Sequence, residues 1–366
     1  MAQGVETGRR PVSTLFAGAG GGRIIAAMSP AIWSKIEQLS WPADWPALFG
    51  RDAPLLMEIG FGSGQYLIEL AGRRSEANVI GVEISVPALR RAGRKLERRG
   101  LNHVRLIQGD ANAVLRALCA PGSLAAVVIN FPDPWPKLDH DARRLIDDDF
   151  LCLLATRMAA GAPLDIATDH DDYAAQIAAA LARSPTFESR SGATFALEEP
   201  GRAPTKYERV ALAEGRTPRY FAWRRNDAPA TTPFPIPEEY AMPHVVLRGP
   251  ADLTEIGRRF RPSVILFDGG RVRFIEAYRA LGGDKLLIET YINEDPIRQR
   301  LGLEVRARAN GEIVIGLAEV GFPRPTRGVH AAIAALANWL RAEFPALIVV
   351  HSALQEEYAH AQDERY

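Results

Sequence analysis

Cysteine is scarce in this chain. Only Cys119 and Cys152 occur among 366 residues, and both stand among apolar neighbours. A disulfide framework or a cysteine zinc site is therefore not supported. Two buried thiols in a reducing compartment are expected instead, which favours a cytoplasmic protein.

Long hydrophobic runs and an excess of charge of one sign are also missing. No apolar stretch reaches the length of about 20 residues that a membrane-spanning helix needs, so no membrane partner is expected. The 44 basic and 44 acidic residues give a formal net charge of zero. Nucleic-acid binding favours a basic protein, so zero net charge argues mildly against it, although a local basic cluster is sufficient. Any contact with RNA must therefore come from local clustering.

What the chain does have is the size and composition of a globular protein with two domains. At 366 residues it is too long for one small core, and 47% of its residues are hydrophobic. Residues 227–243 are rich in proline and lack hydrophobic periodicity, which is typical of a linker. We therefore predict a flexible tail over residues 1–30, a first domain over 31–226, this linker, and a second domain over 244–366. The true start is left open between Met1 and Met28.

Apolar runs alternate with amphipathic stretches in the first domain. The runs are PLLMEIG, VIGVEI, HVRLIQGD and AAVVINF, and the stretches between them are QYLIELAGRR, PALRRAGRKLERR and ANAVLRAL. This alternation predicts an α/β domain with a mostly parallel sheet flanked by helices. Ligands of such sheets bind at the carboxyl ends of the strands.

A glycine-rich turn follows the first apolar run. Glu58 is followed by Gly60, Gly62 and Gly64 at alternate positions, and an amphipathic stretch begins directly afterwards. Glycines there let the backbone turn sharply and let a ligand approach it closely. A dinucleotide fingerprint needs G-x-G-x-x-G, and its third glycine is missing whichever glycine starts the count. A nicotinamide cofactor is therefore disfavoured.

Acidic residues stand at three successive strand ends. Glu58 lies at the end of the first run, Glu83 at the end of the second and Asp110 at the end of the third. A carboxylate after the second strand is placed to accept hydrogen bonds from ribose hydroxyls, and one after the third from an adenine amino group. The alternative is that each acid only caps a helix. Three acids in these places together favour a nucleoside-containing cofactor.

A proline-rich loop follows the fourth run, in the order Asn130-Phe-Pro-Asp133-Pro-Trp135. Prolines fix the backbone and bias the residues before them toward extended conformations. The sequence therefore predicts a stiff loop that carries Asp133 and Trp135 into the cofactor cleft. Asp133 would accept hydrogen bonds from a base edge, and Trp135 would offer a stacking face. The alternative is a rigid structural turn with a core tryptophan.

These segments, in their order along the chain, resemble a known enzyme family. INFPDPWPK, followed by His140 and Arg143-Arg144, is similar to the signature of the bacterial tRNA (guanine-N7-)-methyltransferases. EIGFGSG, GVEI, the ATD segment at 167–169 and the segment Thr205 to Glu208 fit the same family, so the resemblance covers about residues 50–225. It implies a Rossmann-like class I methyltransferase fold with seven strands in the sheet. It also implies methyl transfer to guanine N7 in tRNA, with S-adenosylmethionine as the methyl donor.

The resemblance also implies roles for individual residues, with Asp133 as the catalytic residue. The residues expected at the methyl donor are Glu58, Gly60, Gly62, Gly64, Glu83, Asp110, Ala111 and Asp133. Those expected at the target guanosine are Lys137, Asp169, Thr205, Lys206, Tyr207 and Glu208. Those expected at the tRNA backbone are His140, Arg143 and Arg144. No metal is expected, and the oligomeric state is left open between monomer and homodimer.

The chain departs from the family pattern where tRNA is expected to lie. Members usually have K-x-R-H-x-K-R-R after the tryptophan, whereas this chain has Asp139 for the first arginine and Ala142 for the second lysine. Each lost phosphate contact weakens RNA binding. A basic stripe on the helix predicted from about Pro87 to Arg99 compensates for this loss, or is simply a solvated face. The stripe consists of Arg91, Arg94, Lys95 and Arg98.

Two alternatives to tRNA methylation therefore stay open. The first is methyl transfer to a different substrate, because Asp139 and Ala142 weaken the stretch expected to contact RNA. The second is a non-catalytic protein that binds tRNA and the cofactor. The presence of the expected acids argues against this second alternative.

The second domain offers no comparable motif. HVVLRG, SVILFDGG, KLLIETYI and ALIVV look like strands, whereas DLTEIGRRF, RVRFIEAYRAL and VHAAIAALANWLRAEF look helical. Asn310-Gly311 predicts a hairpin turn, because this dipeptide suits the tightest two-residue turns. We predict a smaller α/β domain of unknown role.

Overall fold

The structure is a computed structural model that describes residues 32–135, 144–202, 204–230, 234–320 and 322–359. These residues belong to one compact unit. Their strands form two sheets, one from each half of the chain. None of the described helices has both the length and the apolar character that a membrane crossing requires.

The first sheet has eight strands. They are β1 (Trp33–Lys35), β2 (Leu55–Ile59), β3 (Asn78–Glu83), β4 (Val104–Gln108), β5 (Leu124–Asn130), β6 (Pro163–Thr168), β7 (Phe187–Ser189) and β8 (Arg219–Arg225). Their order is β1-β4-β3-β2-β5-β6-β8-β7, and only β8 runs antiparallel to its neighbours. The seven strands of the class I methyltransferase fold are thus present, and the short β1 adds an eighth at the edge.

Helices flank this sheet on both faces. They are α1 (Trp45–Phe49), α2 (Gln65–Arg73), α3 (Val86–Arg99), α4 (Ala111–Leu118), α5 (Asp148–Arg157), α6 (Asp171–Arg183) and α7 (Lys206–Ala213). Two separate hydrophobic clusters fill the spaces between the helices and the sheet. The four apolar runs all form strands and the three amphipathic stretches between them all form helices, as predicted. The connections after β2, β3, β4 and β5 therefore meet at the carboxyl edge of the sheet.

The second sheet is antiparallel throughout. Its strands are β9 (His244–Arg248), β10 (Ser263–Phe267), β11 (Gly270–Arg279), β12 (Lys285–Glu294), β13 (Arg298–Ala307), β14 (Glu312–Leu317) and β15 (Ile348–Ser352). Their order is β10-β11-β12-β13-β14-β9-β15. The helices of this half are α8 (Leu253–Arg259), α9 (Arg327–Glu343) and α10 (Glu356–Ala359). The predicted hairpin is confirmed, because β13 pairs with β14 across the turn that contains Asn310 and Gly311.

One predicted element of this half is wrong. RVRFIEAYRAL was expected to be helical, but its first nine residues lie in strand β11. A bulge between Phe274 and Glu276 breaks the strand's alternation of inward and outward side chains. Val272, Phe274 and Ala277 consequently face the same core, at spacings of two and three residues. That mixed spacing resembles the pattern of a helix.

The proline-rich segment between the two halves contacts both of them. The Phe234 side chain packs against a core of the first half, and its carbonyl accepts a hydrogen bond from Arg157. The Tyr240 amide donates to the Pro325 carbonyl (2.9 Å) in the second half. Ile297, in the turn between β12 and β13, is buried in the first half's core. The division of the chain into two domains at this segment stays a prediction.

Candidate active site

The glycine loop connects β2 to α2 at the carboxyl edge of the first sheet. Gly60, Gly62 and Gly64 have φ angles of +70°, +50° and +70°, which lie in the left-handed region that favours glycine. A Cβ on Gly64 would also lie 2.8 Å from the Cβ of Ala92, and one on Gly62 would lie 3.5 Å from the Tyr207 ring. The backbone conformation and the close approach of α3 therefore both require glycine here.

The Glu83 carboxylate holds this loop in place. Its Oε2 accepts from the Gly62 amide (2.9 Å), and its Oε1 accepts from the amides of Ile84 (2.9 Å) and Ser85 (3.0 Å). Both oxygens thus stabilise the chain around the site. A carboxylate has about four lone-pair positions, so Glu83 keeps acceptor capacity for a ligand.

Glu58 is the most deeply buried acid at this edge. Only 1% of its surface is exposed, and burial raises its pKa to about 7. Its Oε1 accepts from Asn130 Nδ2 (3.1 Å), whereas Oε2 is buried without a hydrogen-bond partner in the described part of the chain. A buried acceptor without a partner costs free energy unless something else donates to it.

Arg202 connects this acid to the segment expected at the guanosine. Its side chain is 3% exposed, and it donates to Asn130 Oδ1 and to Glu199 Oε2 (2.8 Å). Its Nε lies 3.6 Å from Glu208 Oε2. The nearby acids raise the pKa of Arg202 although burial lowers it, so the guanidinium stays charged. Arg202 was not among the predicted residues, and no spacing in the sequence indicates it.

In the segment Thr205 to Glu208, the two end residues are buried and the two middle residues are exposed. Thr205 caps α7, with its Oγ1 accepting from the Glu208 amide (3.0 Å), while Glu208 Oε2 accepts from the Thr205 amide (3.1 Å). The Tyr220 hydroxyl donates to Glu208 Oε1 (2.7 Å). Lys206 and Tyr207 are exposed. Thr205 and Glu208 therefore shape the segment, and Lys206 and Tyr207 face outward.

Asp110 caps α4 in the way that the alternative interpretation described. Its Oδ1 accepts from the amides of Asn112 (3.0 Å) and Ala113 (3.3 Å). Ala111 is the first residue of the helix and is buried. The cap uses Asp110 Oδ1, so Oδ2 can still accept a hydrogen bond from a ligand.

The FPDPW loop after β5 has two residues with a strained backbone and is held in place by a hydrogen bond from Arg144. Phe131 and Trp135 have φ angles of +50° and +42°, which are uncommon for residues other than glycine. Arg144 donates to the Pro134 carbonyl (2.7 Å) and to Gln176 Oε1 (2.9 Å). Asp133 lies between Phe131 and Trp135, and its side chain is exposed. Backbone strain of this kind is often found at functional sites.

The other predicted residues are placed less uniformly. Asp169 forms an ion pair with Arg216. Arg144, which was expected to contact tRNA, is buried and holds the FPDPW loop in this structure. The predicted residues Lys137, His140 and Arg143 lie outside the described residues, and so do the departures Asp139 and Ala142.

The basic stripe of α3 lines an open cleft on the surface of that helix. The cleft has a volume of about 460 Å³ and is lined by Arg91, Arg94, Lys95, Glu97 and Arg98. Lys95 Nζ also donates to the Ser63 carbonyl in the glycine loop (2.7 Å). Burial, followed by the charge of neighbouring arginines, lowers the pKa of Lys95. The stripe is therefore present as predicted, and one of its members is engaged by the loop.

Metal ligation has no support in the described ranges. They contain no group of three or more His, Cys, Asp or Glu side chains placed to hold a metal ion. Both cysteines are free, with Cys119 buried and Cys152 partly buried. Burial raises the pKa of the Cys119 thiol to about 12, so that thiol is protonated.

Comparisons with known proteins agree on one family. Residues 52–219 match a protein family described as "Putative methyltransferase". A tRNA (guanine-N(7)-)-methyltransferase of Thermus thermophilus is 35% identical over 309 residues, which cover 82% of this chain and 94% of the relative. A tRNA (guanine-N(7)-)-methyltransferase of Burkholderia cenocepacia is 42% identical over 172 residues, which cover 47% of this chain and 67% of the relative.

The match to the Thermus relative extends into the second half of the chain. A match to 82% of the chain must extend into residues 244–366, which make up about a third of it. The Burkholderia relative matches less than half of the chain. Among solved structures, TrmN from Thermus thermophilus is 20% identical and covers 50% of this chain and 47% of its own, with a TM-score of 0.36.

Proposed function

Because the chain belongs to the tRNA (guanine-N(7)-)-methyltransferase family, we propose that it methylates N7 of a guanine in tRNA with S-adenosylmethionine as donor. The structural observation that carries the proposal is the buried Glu58 carboxylate, whose Oε2 has no partner in the described part of the chain. It lies two residues before the first glycine of the loop. A nucleoside-containing donor would supply the missing hydrogen bond.

The residues at this edge fit S-adenosylmethionine. The left-handed glycines leave backbone without side chains at the strand end, and the acids offer acceptors for hydroxyl, amino and ammonium groups. We propose that Glu58, Gly60, Gly62, Gly64, Glu83, Asp110, Ala111 and Asp133 hold the donor. When bound, S-adenosylmethionine supplies a methyl group on a sulfonium. A cation close to Glu58 would favour the ionised form of its carboxyl, against the effect of burial.

The chemistry at the guanine needs no general base. N7 carries a lone pair and no proton, so no group has to remove one before transfer. The purine gains positive charge as the new bond forms, and carboxylates near its edge stabilise that charge. We therefore propose that Asp133 and Asp169 orient the guanine and stabilise its charge. Asp169 would exchange or share its ion pair with Arg216 when guanine binds.

Positioning would supply most of the acceleration. Holding two reactants in the correct geometry is worth about 7–11 kcal/mol. Lys206 and Tyr207 face outward and are the members of their segment that would contact the guanosine. Thr205 and Glu208 would set the position of that segment through the capping box and the Tyr220 hydroxyl. Lys137 stays a proposed guanosine contact.

Contact with the tRNA backbone is assigned to basic side chains near this edge. His140 and Arg143 stay proposed contacts, and Arg144 would act by holding the FPDPW loop. The α3 stripe adds cations next to the glycine loop. We further propose that residues 31–226 form the methyltransferase domain and that 244–366 form a separate domain.

Two binding and transfer measurements test this proposal. Calorimetry should show binding of S-adenosylmethionine and not of NAD. Labelled donor should transfer methyl groups to bulk tRNA and not to ribosomal RNA. Transfer to another RNA or to protein would support the alternative substrate. Donor and tRNA binding without any transfer would support the non-catalytic alternative.

A further inference from the structure

Over strands β10–β13, the second sheet has one covered face and one open face. α8 and α9 pack against the same side, where their apolar residues join the inward residues of β9 and β11–β14 in a single core. The side chains that alternate with these inward residues lie on the opposite face. Among them, Val264 is 59% exposed and Leu266 is 81% exposed. No described helix covers this second face.

Four arginines gather at one end of the open face. Two cross-strand rows run over β10–β13, and their order is Leu266, Arg271, Asn293, Arg298 in one row and Val264, Arg273, Tyr291, Arg300 in the other. Cross-strand partners share a face, and strands are about 4.8 Å apart with a rise of about 3.4 Å per residue. The Cα atoms of Arg271, Arg273, Arg298 and Arg300 therefore lie at the corners of a rectangle of roughly 10 by 7 Å. These four residues are here called the arginine face.

Most of the charge on the arginine face is not neutralised. Arg300 is paired with Glu289. Arg271, Arg273 and Arg298 are exposed and form no ion pair with any residue that the structure describes. The acids in the adjacent turns are engaged elsewhere, with Asp295 bound to Arg116 and Asp268 bound to Arg327.

A cleft gives the arginine face a concave border. It has a volume of about 500 Å³ and lies between the β10–β11 turn and the β12–β13 turn. Arg271 and Arg298 line it from its two sides, together with Asn293, the backbone of Gly269 and Gly270, and the acids Glu294 and Asp295. The Glu294 carboxylate accepts hydrogen bonds from the Thr326 hydroxyl and the Gly328 amide, and Asp295 is paired with Arg116. A cleft with guanidinium groups on both sides suits an anionic group, because arginine binds phosphate through two parallel N–H donors.

We infer that the arginine face is a second tRNA-binding surface, which contacts phosphates of the tRNA backbone away from the methylated guanine. This inference rests on the proposed function, which supplies tRNA as the partner. Charge complementarity favours tRNA as the partner of this surface. Residues 244–366 contain equal numbers of basic and acidic side chains, but three arginines without an ion pair are concentrated on the arginine face. Tyr291 lies between Arg273 and Arg300 and offers a ring to an unstacked base. The surface would compensate for the cations lost at Asp139 and Ala142.

The test compares two double variants of the full chain. Arg271→Gln with Arg298→Gln removes both cleft arginines. Arg258→Gln with Arg261→Gln removes two exposed arginines at the end of α8, on the covered side of the sheet. Affinity for bulk tRNA is measured against salt concentration, and thermal melting checks that both variants are folded.

The cleft variant should have a flatter salt dependence than the wild type. Each phosphate contact contributes about 0.7–0.9 to the slope of log K against log salt, so losing two lowers it by about 1.4–1.8. The control variant should keep the wild-type slope. An unchanged slope in the folded cleft variant, or an equal loss in both variants, would overturn the inference. Methyl transfer to tRNA by the wild type is measured in parallel, so that failure of the proposed function itself is recognised separately.

Discussion

Glu58 should make the protein less stable at neutral pH than it is in mild acid. Burial raises its pKa from 4.5 to about 7, with Asn130 as its hydrogen-bond donor and Oε2 without a partner. The substitution Glu58→Gln keeps an oxygen for Asn130 and removes the charge. We expect this variant to be more stable than the wild type above pH 7 in the absence of the methyl donor.

The size of the effect follows from proton linkage. Between pH 4.5 and 7 the folded protein holds a proton on Glu58 that the unfolded chain has released. Wild-type stability therefore falls as the pH rises through this window, by about 1.4 kcal/mol per unit and roughly 3 kcal/mol in all. The variant lacks this loss. Its melting temperature at pH 8 should exceed that of the wild type by about 4 °C, and the difference should vanish near pH 4.5.

Thermal melting of both proteins between pH 4.5 and 8 measures this difference. Glu198→Gln, which removes an exposed acid, serves as the control and should show no pH-dependent gain. The same Glu58→Gln variant should bind S-adenosylmethionine about 10- to 100-fold more weakly, because a hydrogen bond to a charged acceptor is worth about 1.5–3 kcal/mol. A melting difference that does not change with pH would refute the reasoning about Glu58.

Three further substitutions test other parts of the account. Asp133→Ala should abolish most methyl transfer with little change in melting temperature, because the side chain is exposed and prolines stiffen its loop. Asp139→Arg with Ala142→Lys should steepen the slope of log K against log salt by about 1.4–1.8, as two regained phosphate contacts would. Arg202→Leu should destabilise the protein by about 3–5 kcal/mol in denaturant unfolding, because it leaves Glu208 buried without its cation.

Each of these predictions has a result that would contradict it. Near-normal turnover in the Asp133 variant would remove that residue from the site. An unchanged salt slope after the Asp139 and Ala142 substitutions would mean that this stretch does not touch phosphate. Wild-type stability in the Arg202 variant would show that the buried network contributes nothing to folding.

The sequence predicts the first half of the fold well because its signals are local. β2 is apolar except for Glu58 and is buried along its whole length, and α3 carries its apolar residues at helical spacing. β11 was predicted wrongly because its bulge is fixed by pairing with β12, which lies beyond any local pattern. The arginine face could not be predicted for the same reason, because the pairing register of four strands brings its arginines together.

The candidate site was only partly predictable for a related reason. Acids at the ends of parallel strands converge in any sheet of this kind, so Glu58, Glu83 and Asp110 could be expected at one edge. Arg202 could not, because Asn130 on β5 and Glu208 on α7 come next to it only in the folded chain. The inward turn of Arg144 depends in the same way on α6, which supplies Gln176.

Product analysis tests the central claim most directly. The wild-type protein is incubated with methyl-labelled S-adenosylmethionine and tRNA that lacks 7-methylguanosine, and the tRNA is digested to nucleosides. The account predicts label in 7-methylguanosine. Label in a different nucleoside, or no label although the donor is bound, would contradict it.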